Sequence, residues 1–274
     1  MAGPGSSLRK ALVVPPGTRV HLEGMDPGAT HGHDKESAGE TTAADLVRLH
    51  DLQYRIWAEN KHKLLIVLQG IDSAGKGGTI EHVVGGFNPQ GCRVHAFKVP
   101  TAEELAHDYL WRVHPHVPGT GEISIFDRSH YEQVLVVRVM GIEPEARWRR
   151  HYDEINAFER LLVDSGTTIL KFFLLIDKDE QRARLQDRID NPRKRWKFRM
   201  GDLDTRKHWD DYMAAFDDAL TKCSTEAAPW YVIPANRNWF RNLAVARIVA
   251  ETLEDLNPQI PPPVEPIPPG LKVE

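Results

Sequence analysis

The 274-residue chain sets 35 Lys and Arg against 39 Asp and Glu, a formal net charge of −4, and 41% of its residues are hydrophobic. Such a balance suits a soluble chain that buries a core and argues against a surface that coats nucleic acid, while no run reaches the ~18 apolar residues of a membrane span. Two cysteines, Cys92 and Cys223, are too few for a disulfide framework and stand outside metal-ligand spacing, and the opening residues lack a secretory apolar stretch, so a cytoplasmic location is expected.

Residues 1–40 are rich in Gly, Pro and Ser without a clear period and read as an arm that is extended or ordered only against a neighbour. From about Ala43 to His62 the residues Leu46, Leu49, Leu52, Ile56 and Trp57 recur at helical spacing, which opens a domain over 41–257. Five β-rich runs follow, Leu64–Gln69, Arg93–Val99, Ile123–Asp127, Ile169–Ile176 and Trp230–Ile233. Between and after them helices are predicted at Gly77–Phe87, Ala102–Val113, Tyr131–Met140, Glu145–Asp164, Lys178–Asp190, Thr205–Lys222 and Trp239–Leu256. Apolar strands alternating with helices predict an α/β fold, a mainly parallel five-stranded sheet covered on both faces. Ligands then sit at the carboxyl ends of the strands, where Gly70, Lys98, Asp127 and Asp177 emerge. The proline-rich tail, 258–274, reads as an extended strap or a disordered end.

The first run leads into a glycine loop, Gly70-Ile-Asp-Ser-Ala-Gly75-Lys76, and then a helix. Backbone N–H groups of such a loop turn inward around phosphate oxygens, the lysine reaches the outer phosphates and the helix aims its N-terminus at the same anion. Phosphate contacts are expected from Gly70, Ala74, Gly75, Gly77, Gly78 and Thr79. A Walker A loop usually continues with Ser or Thr on Mg²⁺, but Gly77 stands in that place and Thr79 comes two residues late. Asp72 inside the loop would repel phosphate unless a divalent cation sits between them, so Asp72 is a candidate metal ligand or an acceptor-orienting group. The competing reading is a strand-to-helix turn with a surface Asp and Lys.

Ile123–Asp127 followed by Arg128 has the layout of a Walker B element: Asp127 would hold Mg²⁺ and Arg128 would set a cation beside the transferred phosphoryl group. A strand-end Asp that caps the next helix is the alternative. Lys98 and Arg112 could hold the acceptor phosphate or could be helix-end surface charges. From Arg182 to Arg199 eight Lys or Arg meet only Asp187 and Asp190, and the segment 182–212 reads as a basic lid that closes on a phosphate chain or as a solvated hairpin.

The stretches GIDSAGKGGTI, FKVPTAEEL, FDRSHYE, NPRKRWKF with GDLDTRKHWDDY, and APWYVIPANRNWFRN together resemble the polyphosphate kinase 2 family over about residues 43–256. This resemblance implies a P-loop kinase fold similar to thymidylate kinase, with a helical lid, and Mg²⁺-dependent (or Mn²⁺-dependent) phosphoryl transfer between inorganic polyphosphate and adenine or guanine nucleotides, with no nucleic acid or membrane partner. Carried over position by position, Asp72 and Asp127 match metal and catalytic acids, Lys76 the loop lysine and Arg128 the arginine after the second acid. Arg182, Arg188, Lys194 and Lys197 fall where the family grips phosphates. SHYE after Arg128 and the WKF…DL…WDDY lid resemble the subgroup that phosphorylates AMP as well as ADP. The family also commonly forms dimers or tetramers. Two other functions stay open on the sequence: an ATP-dependent kinase of nucleotides or another small molecule, and a non-catalytic sensor of nucleotide or polyphosphate.

Overall fold

The computed structural model describes residues 7–273. Five segments pair in one sheet: β1 (Lys63–Gln69), β2 (Cys92–Ala96), β3 (Ile123–Asp127), β4 (Thr167–Leu175) and β5 (Trp230–Pro234). All four pairings are parallel, in the order β2-β3-β1-β4-β5. β1 is apolar on both faces, as a strand covered twice must be, and Leu64 to Gln69 are all buried.

The helices in chain order are α1 (Leu8–Leu12), α2 (Lys35–Glu59), α3 (Lys76–Thr79), α4 (Ala102–Leu105), α5 (Val136–Val139), α6 (Glu145–Trp148), α7 (His151–Asp164), α8 (Lys178–Asp190), α9 (Gly201–Lys207), α10 (Trp209–Cys223) and α11 (Asn238–Leu256). They flank the sheet in two groups, α1, α2, α3 and α11 in one and α5, α7 and α10 in the other. Parallel crossovers are right-handed, so the step from β1 out to β2 and the opposite steps from β3 to β4 and β5 carry their helices to opposite faces. The chain therefore diverges after β1 and β3, which lie side by side with Leu68 paired to Asp127, and opens a crevice at their carboxyl ends. No helix among the described residues is long and apolar enough to cross a membrane.

Several predicted helices are shorter or broken, each for a local reason. The first long helix starts at Lys35 rather than near Ala43, because Asp34 caps it by accepting from Glu36 N and Ser37 N, both at 2.9 Å. The helix predicted over Gly77–Phe87 passes from α3 into a π-turn at Ile80–Val84, with Gly85 N bonded to Ile80 O at 3.0 Å. That predicted over Ala102–Val113 stops at Leu105, and Asp108 Oδ1 then takes Leu110 N and Trp111 N into turns. The Tyr131–Met140 prediction becomes a 3₁₀ turn, His130–Gln133, and the single turn α5, within a run rich in β-branched Val. Breaks at Arg149–Arg150 and at His208 divide the remaining two.

Of the two readings of the arm, order against a neighbour is the one seen in the described residues. Leu8, Leu12, Val14, Val20 and Leu22 are buried, Val14 N donates to Trp230 O at 2.8 Å, and an antiparallel bridge joins Val13 to Tyr231. The arm thus covers the open edge of β5.

Candidate active site

The loop after β1 begins at Gly70, where a Cβ would lie 2.9 Å from Ala74 Cβ and 3.0 Å from Leu174 O, so only glycine lets the chain turn this close to β4. Gly75 closes the loop in a left-handed conformation, φ +111°, and α3 starts at Lys76. The Lys76 ammonium is buried inside the loop and donates to Gly70 O at 2.8 Å. Burial pushes its pKa down and Arg128 adds to that, against an opposing pull from Asp127, Asp72 and Glu132. Outside the loop Arg184, on α8, donates to Ser73 O and Ala74 O at 3.1 and 3.0 Å and to Ala235 O at 2.6 Å, tying the loop to the end of β5. Gln181 Nε2 holds Asp72 O at 3.1 Å. Thr79, by contrast, spends its hydroxyl on Gly75 O at 3.2 Å.

On the neighbouring strand Asp127 is the last residue of β3, half-buried between Leu68 and Ala96. Its backbone carbonyl takes Phe97 N at 3.0 Å, while its carboxylate has no protein donor among the described residues. Arg128 follows in a left-handed conformation, φ +65°, its N bonded to Leu68 O at 3.1 Å. That turn aims the guanidinium across the crevice at the Asp72 carboxylate, with a second arm on Glu132 Oε2 at 3.2 Å. Glu132, burial in opposition, then Asp72 and Asp127 leave the Arg128 pKa above its already high usual value. For Asp72, burial works upward, yet Arg128, Lys76, Thr205 and Arg188 together hold the carboxyl below the usual carboxylate range. Gln69 completes the rim, its Nε2 at 3.1 Å from both Ser129 Oγ and Glu132 Oε1.

The basic segment folds over this edge. Arg188 pairs with Asp202 at 3.0 Å and stands close enough to Asp72 to lower its pKa. The Tyr212 hydroxyl faces the same cluster, burial, Glu132 and Asp72 pushing it up to about 12. The other expected anion binders make their described contacts outside this cluster. Arg182 is exposed beside Asp179 at 3.4 Å, Lys194 pairs with Asp187 at 2.5 Å, and Lys197 lies 5.2 Å over its neighbour Trp196. Arg112 braces the loop after β2 by bonding Lys98 O at 2.9 Å and pairing with Glu104 at 3.2 Å, and Lys98 itself is exposed.

The family model described as Polyphosphate kinase 2 (PPK2) matches residues 32–261. This chain belongs to the polyphosphate kinase 2 family. It is 55% identical over 258 residues to the AMP/ADP-polyphosphate phosphotransferase of Meiothermus ruber, an alignment covering 93% of this chain and 96% of that one. It is 44% identical to the ADP-polyphosphate phosphotransferase of Rhodopseudomonas palustris over 83% of each. Among solved structures, polyphosphate kinase 2 from Arthrobacter aurescens TC1 superposes with a TM-score of 0.92 at 43% identity, covering 96% of this chain and 94% of that one. The α/β sheet described above is accordingly the P-loop kinase fold of the polyphosphate kinase 2 family.

In this member of the polyphosphate kinase 2 family, the structure brings together Asp72, Lys76, Asp127, Arg128 and Arg188, and adds residues the sequence did not single out. Glu132 was legible in principle, since Arg128 and Glu132 are four residues apart in FDRSHYE and i,i+4 partners of opposite charge meet on a helical turn. Gln69, Thr205, Tyr212 and Arg184 reach the site through tertiary packing and carry no comparable local signal. Both thiols are ordinary, as expected: Cys92 and Cys223 are free, and burial pushes each up to about 12.

Proposed function

We propose that this chain transfers a phosphoryl group from inorganic polyphosphate to AMP and ADP, giving ADP and ATP, in a Mg²⁺-dependent and reversible reaction. The observation that carries the reading is the convergence of Lys76, Asp72, Asp127 and Arg128 at one carboxyl edge of the sheet, in a chain 55% identical to a relative named for that transfer. The donor set fits a hard divalent cation. Asp127 ends β3 and Asp72 lies in the loop that follows the adjacent β1, the Asp127 oxygens have no protein donor among the described residues, and the Ser73 hydroxyl within the loop is buried without a partner. Asp72 and Asp127 would hold Mg²⁺ or Mn²⁺, which when bound neutralises charge on the phosphate oxygens.

In the transfer, a terminal phosphate oxygen of the nucleotide forms a bond to the end phosphorus of the chain. The P–O–P bond behind it breaks, and polyphosphate shorter by one unit leaves with the electron pair. The attacking oxygen is already ionised, so no strong general base is needed. Lys76 and Arg128 place positive charge where negative charge spreads over the equatorial oxygens. Arg128 is pre-aimed by its left-handed turn and by Glu132, which removes an ordering cost from the reaction. Arg188 and Tyr212 line the same edge.

The test is incubation of the purified chain with AMP, Mg²⁺ and polyphosphate, ATP withheld, with nucleotides resolved by chromatography. ADP should appear, followed by ATP. Absence of ADP until ATP is supplied would contradict the reading and favour an ATP-dependent kinase. The dimer or tetramer usual in the family is checked by light scattering on the same sample.

A further inference from the structure

Behind the phosphate loop lies a cation that the transfer chemistry does not use. Arg241, in the first turn of α11, is 3% exposed. Its guanidinium is pressed against the loop backbone: a Cβ on Gly75 would overlap Nη1, and a Cβ on Gly78 would lie 3.0 Å from Nη2. All its hydrogen bonds go to neutral amide oxygens of its own helix. Nη1 donates to Asn238 Oδ1 at 2.8 Å, and Nε and Nη2 donate to Asn242 Oδ1 at 3.2 and 2.8 Å. Its donors are thus partly satisfied while its charge is not, for no carboxylate pairs with it among the described residues.

The surroundings make this more costly. Arg184 is the other charged group facing it, and a second cation repels the first. α11 has no acidic residue in its first turn to offset the positive end of that helix. A buried, unpaired charge is among the most unfavourable features a fold can carry, and folds keep one when something supplies the missing counter-charge. Burial, then Arg184, bring the Arg241 pKa down to about 10, so it remains charged at neutral pH.

We propose that Arg241 is a positioning residue for the phosphate chain: its counter-charge is the anion held on the far side of the Gly75–Gly78 backbone, and its field acts through that backbone without touching the ligand. This rests on the loop's being a phosphate site, as proposed above. It goes further in assigning part of the anion affinity to a residue outside the crevice and in making the ligand-free protein the electrostatically strained state. The ligand chemistry is a chain of phosphates, from polyphosphate or from the nucleotide.

Asn242→Asp tests this with almost no change of shape, because it places a carboxylate where Asn242 Oδ1 already accepts two bonds. Thermal unfolding is recorded for wild type, Asn242→Asp, Arg241→Met and Arg241→Lys, alone and titrated with tripolyphosphate or ADP. In Asn242→Asp the ligand-free midpoint should rise, and affinity for the favoured phosphate chain should fall roughly three- to thirtyfold, as expected for one charge acting over several ångströms of protein. Arg241→Met should lose affinity without losing ligand-free stability, and Arg241→Lys should retain part of it. A fall for tripolyphosphate alone assigns the counter-charge to the polymer, a fall for ADP alone to the nucleotide. In turnover, KM for that substrate should rise more than kcat falls. If wild type is stabilised by tripolyphosphate or ADP and Asn242→Asp is stabilised equally, the proposal is overturned and the phosphate-loop reading stands. If neither ligand stabilises wild type, that reading fails and takes the proposal with it.

Discussion

Asp72 and Arg128 show how a local conformation becomes chemistry. A non-glycine residue at φ +65° is uncommon and is kept when its surroundings over-determine it. Here the Leu68 carbonyl, Asp72 and Glu132 all fix Arg128. The pair has a measurable signature in stability. The Asp72 pKa is lowered in the folded state, so the unfolded chain takes up its proton first and folding stability rises with pH through that window. Its contribution is complete above the ordinary carboxylate value, about 3.9, and is lost as pH falls through the lowered folded value. Denaturant unfolding of wild type should therefore weaken below about pH 4, and Asp72→Asn should give a shallower acid limb. An unchanged slope would show that Asp72 is not held by its cations. At this scale the motif residues Asp72, Lys76, Asp127 and Arg128 were legible, because the chemistry of phosphate dictates glycine, cation and carboxylate at short spacing. The left-handed turn at Arg128 was not, since Leu68 and Asp72, which help to impose it, are distant from it in sequence.

The turn carrying Arg128 is anchored by a buried network between elements. Lys171, in the middle of β4, donates to Glu159 Oε2 at 2.6 Å, Tyr131 Oη at 2.8 Å and Cys223 O at 2.6 Å, and Tyr131 and His130 reach Glu159 as well. Burial opposes the Glu159 charge, and Lys171 and His130 nevertheless keep its carboxyl below the usual range. Removing one partner strands a charge in the core, so Glu159→Ala should cost about 3–5 kcal/mol by denaturant unfolding. The double replacement Glu159→Leu with Lys171→Met should cost much less. A double variant as unstable as the single would assign the network's role to packing. Strand positions were read closely because continuous apolar runs such as Leu64–Leu68 leave little choice. Lys171 interrupts such a run, and nothing local says that its partner lies on the preceding helix. Helix lengths were overestimated where competing signals are short, as at Asp108, whose carboxylate captures two backbone donors and diverts the chain into turns.

Over the whole molecule, strand order creates the crevice and the N-terminal arm protects the sheet that supports it. The arm lacks a period because it is neither helix nor strand for most of its length. Its apolar residues are spent one by one on β5 and its neighbours, and Leu22 N bonds Asp217 Oδ1 at 2.8 Å. Leu12→Ala should cost about 2–4 kcal/mol in unfolding free energy and leave KM for both substrates unchanged. A changed KM with intact stability would instead place the arm in substrate binding. The basic segment was legible as a cationic stretch, but which charges face the site depends on its fold: Arg188 turns toward Asp72, whereas Lys194 turns to Asp187.

The central claim is that phosphate moves between polyphosphate and nucleotide at the edge where Asp127 meets the glycine loop. Its most direct test is the rate of ADP formation from AMP and polyphosphate, with ATP withheld, for wild type beside Asp127→Ala of matched thermal stability. The account predicts a rate lower by roughly a hundred- to thousandfold or more in the variant. A folded Asp127→Ala that turns over like wild type would contradict it.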